Sequence, residues 1–174
     1  MPTVYSLIPQ SFSRKDTANY TLDDIRKEVN EICIWLDYIW GHEKKMQNVQ
    51  FYINWNEKPR PAALGLCHKD NDYKYVLTFS HRYFEAALSR GVHEVILHEV
   101  LHATKNGMKH TGEWKSKANY VSNFTEFKVT RCVNPEDAPA WYAQETAASL
   151  GGAKYQVYCP VCEKIVATRT RLCK

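Results

Sequence analysis

His98, Glu99 and His102 form an H-E-x-x-H pattern inside the run Gly91 to Trp114, GVHEVILHEVLHATKNGMKHTGEW. Val95, Ile96, Leu97, Val100 and Leu101 surround the three polar residues, as in a buried helix that carries a metal site. Four residues of helix rise about 6 Å, so the two imidazoles fall on one face and can share one ion. Glu99 follows the first ligand directly, where its carboxylate can take a proton from a water on that ion, the general-base role in zinc hydrolases. In a chain of this composition H-E-x-x-H arises by chance in about two cases in a hundred, so its context must decide. Buried histidines and a glutamate without partners would be costly, and a metal supplies those partners.

A catalytic zinc ordinarily takes a third protein ligand. The spacing H-E-x-x-H-x-x-G-x-x-H would need Gly at 105 and His at 108, but Lys105 and Met108 stand there, so the metzincin pattern is excluded. Asn106 and Gly107 read as the helix stop, since both tolerate the left-handed cap conformation. His110 then opens HTGEWK, giving H-x-G-x-W after a short turn. H-E-x-x-H followed by this segment resembles the SprT-like metalloprotease family, which includes the Spartan proteases. The resemblance is specific from His98 to Trp114 and extends in the order of elements from about Leu22 to Phe124. It implies that His110 is the third zinc ligand. Thr111 stands where the family often has Gly, which shifts the turn by one residue to Gly112.

The elements that must hold these residues can be read on either side. Thr21 and Asp24 signal a helix start, and Leu22, Ile25, Val29, Ile32, Leu36 and Ile39 then recur at spacings of three and four. Gly41 ends this stripe, which we read as packing, with Trp35 and Trp40 adding bulk. Val49 to Trp55, Ala62 to His68 and Tyr73 to Ser80 read as three strands, implying a small, largely antiparallel sheet. Ser80 can cap a helix near Arg82, and Gly91 marks a break before the metal helix. Trp114, Ala118 and Val121 give a last helix that packs the third ligand. His68 and His81 at strand ends read as surface residues, and His93 as exposed. Glu94 reads as a second acceptor for His98 or as a solvated charge, and Tyr120 as a core tyrosine or an oxyanion donor.

With 174 residues the chain suits one sizeable core plus an appendage, and its net charge of +4 favours no class of partner. Residues 1–10 carry no leader-like apolar run, and no segment approaches the ~20 apolar residues of a membrane span, so a cytoplasmic protein, or a nuclear one in a eukaryote, is expected. Beyond Phe124 prolines and glycines interrupt any periodicity, and the tail ends in YCPVCEKIVATRTRLCK. Cys159 and Cys162 form a C-P-x-C knuckle with Cys173 ten residues further on, a structural-zinc signature; a redox dithiol would need a strand-helix context that is lacking. SprT-like proteins commonly carry a zinc ribbon here, and the three cysteines look like its first ligands. The fourth would be Cys132 or a residue beyond Lys174.

These readings give an α+β fold: a zincin-like metallopeptidase domain over residues 1–125 and a loop-rich tail with a partial zinc ribbon over 126–174. His98, His102 and His110 would hold Zn2+, Glu99 would be the catalytic base, and Cys159, Cys162 and Cys173 would hold a second, structural Zn2+. The resemblance implies protein substrates, in some relatives proteins crosslinked to DNA. The competing class is a non-enzymatic, zinc-stabilised module that binds DNA or protein; an intact Glu99 and the lack of an obvious fourth ligand speak against it.

Overall fold

A computed structural model describes residues 20–58, 63–133, 137–142, 155–158 and 165–169. The first helix, α1 (Leu22–Trp40), starts at a full capping box: the Thr21 hydroxyl accepts from the Asp24 N–H while the Asp24 carboxylate accepts from the Thr21 N–H. Ile25, Val29, Ile32 and Leu36 make its buried stripe with Trp35 beside them, each aliphatic contributing roughly 1.5–3 kcal/mol over exposure. Gly41 caps its end, as the sequence indicates.

Three strands follow, β1 (Gln50–Asn56), β2 (Gly65–Asn71) and β3 (Lys74–Ser80), in the spatial order β1-β3-β2. Tyr75, Leu77 and Phe79 alternate inward along the central strand and are almost wholly buried. The sheet is mixed, not largely antiparallel: β2 and β3 are antiparallel, whereas β1 runs parallel to β3 with Ile53 opposite Leu77. Alternation marks a strand but says nothing of its partner. Here the chain leaves β1 and lays β2 on the far side of the position β3 will take, so the expected meander does not form.

Ser80 caps α2 (His81–Ala86), its hydroxyl accepting from the Tyr83 N–H. The chain then breaks at Ala87 and Leu88, not at Gly91, which lies inside α3 (Ser89–His102). Buried on nearly every side, α3 packs against α1, β2 and α4 (Glu113–Phe124). Trp114, Ala118 and Val121 form the buried face of α4.

The chain divides into two compact units, Met1–Pro139 and Ala140–Lys174. Residues expected in the tail belong to the first: Phe127 and Val129 are buried there, and the Val129 N–H donates to Ser122 Oγ. In the second, β4 (Tyr155–Tyr158) pairs antiparallel with β5 (Ile165–Arg169). Cys159, Cys162 and Cys173 lie outside the described residues. Among those described, no helix is long and apolar enough to cross a membrane.

His93 corrects the expectation of exposure. It is 1% exposed, with Nδ1 2.6 Å from Glu28 Oε1 on α1 and Nε2 2.9 Å from the Tyr20 hydroxyl. Glu28 sits within the apolar stripe of α1, and the pair fastens the metal-helix candidate to it. Burial of polar groups is tolerated where they bond to one another. His93→Phe is therefore expected to lower the unfolding free energy by about 1–3 kcal/mol. A urea titration read by circular dichroism checks this; stability equal to the starting protein would contradict a structural role for the pair.

Candidate metal centre

One turn of helix places His98 and His102 together on α3, with ring centroids 5.1 Å apart. The helix ends at His102, earlier than the expected stop at Asn106 and Gly107. Thr104 Oγ1 donates to the Leu101 carbonyl, occupying one of the acceptors a helix end leaves open. Asn106 does take the left-handed conformation, with φ 57°, inside the loop that follows. That loop returns His110 to the helix, and Gly112, with φ 55° and ψ −121°, turns the chain into α4 through backbone space closed to residues bearing a Cβ.

The result is a convergence of nitrogens. His110 Nε2 lies 2.8 Å from His98 Nε2 and 3.1 Å from His102 Nε2, and one ligand atom from each of the three falls within 4.8 Å of the others. Two donors on a tetrahedral ion at ~2.0–2.1 Å stand about 3.3 Å apart, close to these separations.

Backbone carbonyls set the direction of the rings. His98 Nδ1 donates to the Thr130 carbonyl and His102 Nδ1 to the Gly107 carbonyl, each at 2.8 Å. A carbonyl can only accept, so each Nδ1 carries the proton and each neutral ring turns a lone pair inward from Nε2. A proton on His110 Nε2 could serve one of those lone pairs and not both. Burial holds all three histidines below their ordinary protonation range, His98 down to about 3 with His102 and His110 adding to the effect. A cation is the partner that satisfies three converging lone pairs at once, so these residues fit a bound metal ion.

Trp114 walls the cluster. Its ring stacks on His102 at 5.4 Å and stands edgewise to His98 and His110, each at 4.7 Å. Two lysines hold the loop that carries the third histidine: Lys44 Nζ donates to the Ala103 carbonyl at 2.7 Å and Lys117 Nζ to that of Lys105 at 3.3 Å. Lys117 is buried and paired with Glu43 at 2.6 Å.

The Glu99 side chain lies against β2, beside Gly65. It is 5% exposed and accepts a hydrogen bond from the Cys67 backbone. Burial pushes its carboxyl up to about 8, against the pull of that N–H; a cation beside it would favour the charged form.

The other candidates stand apart from the cluster. His68 is exposed, and His81 lies 3.0 Å from Glu57 and stacks on Trp55. Glu94 is neither solvated nor bonded to His98. It is buried and accepts from the Lys128 N–H at 2.7 Å, with Arg90 at 3.5 Å. It thus ties down the segment whose Thr130 carbonyl holds His98. Tyr120 packs edgewise on Trp40, and Cys132 is exposed. The carbonyls of Thr130 and Gly107 carry no mark in the sequence, because every residue has one; the glycine at 107 was visible, but only as a turn.

No known family model matches this chain, and no curated protein matches it, so the SprT-like resemblance rests on the residues from His98 to Trp114. Replacing His110 by Ala is expected to weaken zinc binding by more than the ~10–100-fold that loss of an outer hydrogen bond costs. Competition against a chromogenic chelator measures this, and unchanged affinity would remove His110 from the ligand set.

Proposed function

We propose that the chain is a zinc-dependent endopeptidase of the SprT-like kind, with a zincin-like core. The observation that carries this reading is the donor set: three neutral imidazoles converge, no fourth protein donor joins them among the described residues, and a buried carboxylate stands next to the first ligand. Three protein ligands leave a coordination position for water and substrate, as catalytic sites do and closed structural sites do not. Nitrogen donors suit zinc, though they do not by themselves select it.

When bound, zinc supplies a Lewis acid for the scissile carbonyl and lowers the pKa of water. Glu99 takes the proton of the attacking water and later gives it to the leaving amine. Thr130 and Gly107 keep the ligand rings oriented through this cycle, and Trp114 keeps water from the back of the site. Among the described residues β2 has β3 on one side only and passes Glu99, so an extended peptide can add to its other edge by main-chain hydrogen bonds. Protein substrates follow from the resemblance, as do DNA-associated or DNA-crosslinked ones; a second, structural zinc on Cys159, Cys162 and Cys173 rests on their spacing as well as on the resemblance, and a cytoplasmic or nuclear setting is the sequence's own expectation.

Glu99→Gln keeps the size of the side chain and removes its basicity. It should retain zinc and lower turnover of an unfolded protein such as casein by ~100 to 10,000-fold. Equal turnover in the variant would refute the mechanism, and absence of hydrolysis by the zinc-loaded parent would favour a binding module instead.

A further inference from the structure

Gly65 opens β2, opposite Phe79 of β3, and Cys67 follows on the same face of the strand. That face meets α3. A Cβ built on Gly65 would lie 2.5 Å from Glu99 Oε1, 2.6 Å from its Cγ and 2.8 Å from its Cδ. No real Cβ tolerates such contacts, so any other residue at 65 must push the Glu99 side chain out of its place. The Cys67 backbone lies within reach of the same carboxylate and favours its charged form. One residue of the strand leaves the space and the next but one supplies the donor.

The geometry points to Gly65 as the positioning residue of Glu99: its missing side chain, together with the Cys67 N–H, fixes where this carboxylate lies. The side chain that must yield is flexible at its end, so the fold can accept Gly65→Ala while the carboxylate cannot keep its position. Leu66 between them is 62% exposed and turns the other way, which makes Leu66→Ala a control on the same strand. The kinetic consequence rests on the peptidase reading above; the geometric one does not.

Amide hydrogen exchange of the metal-free chain tests the geometric part. Gly65→Ala should speed exchange at the Cys67 N–H at least about tenfold as the Glu99 side chain is displaced from the strand, and Leu66→Ala should not. In the zinc-loaded chain Gly65→Ala should lower kcat ~10-fold or more, with KM and bound zinc unchanged, and should have no further effect in a Glu99→Gln background. If Gly65→Ala fails to fold, Gly65→Ala combined with Glu99→Ala should fold, because the clash is gone. Unchanged Cys67 exchange, an undiminished kcat, or a double variant that still fails to fold overturns the proposal. A parent without peptidase activity overturns the peptidase reading alone, and the exchange measurement then still decides the role of Gly65.

Discussion

Three imidazole lone pairs are aimed at one point, and the rest of the first compact unit is built to keep them there. A proton on His110 Nε2 could bond only one of its two neighbours, at 2.8 or 3.1 Å. His98 and His102 are held on their far sides, where the Thr130 and Gly107 carbonyls take the Nδ1 protons, and on the flank the Trp114 ring packs against all three imidazoles. The ion such a centre calls for would bind nitrogens already oriented, which spares it most of the ordering that a flexible set of ligands would require.

A helix as buried as α3 can carry so many polar side chains only because each faces its own partner. His93 turns to Glu28 on α1, Glu94 to the backbone at Lys128, Glu99 to the backbone at Cys67, and His98 and His102 to carbonyls and to each other's neighbourhood. These partners come from four separate stretches of chain. The helix is thereby fixed in rotation and in height, since a slip in either direction would leave several buried polar groups unpaired at a cost of about 1–3 kcal/mol each. Lys44 and Lys117 extend the same device to the loop before His110.

How much of this was legible follows from how local each signal is. The capping box at Thr21, the stripe of α1, the Ser80 cap and the H-E-x-x-H face are written within a few consecutive residues, and the structure has them. The mixed sheet, the buried His93 and the inward-facing Glu94 depend on partners 24 to 73 residues away or on backbone atoms, which residue types do not announce. Gly65 was invisible for a related reason: its meaning lies in Glu99, a neighbour only after β2 has packed on α3. His110 could be singled out only through a resemblance, and the structure brings its ring to the other two.

The central claim is that three histidines present free Nε2 atoms to one cation. Long-range nitrogen-15 NMR of the histidine side chains tests it most directly, because it reports which ring nitrogen bears the proton and which meets a metal. In the metal-free chain His98 and His102 should carry their protons on Nδ1, and at saturating zinc the Nε2 resonances of His98, His102 and His110 should move together. A proton on Nε2 of His98 or His102 before zinc is added, or Nε2 resonances that ignore zinc, would contradict the account.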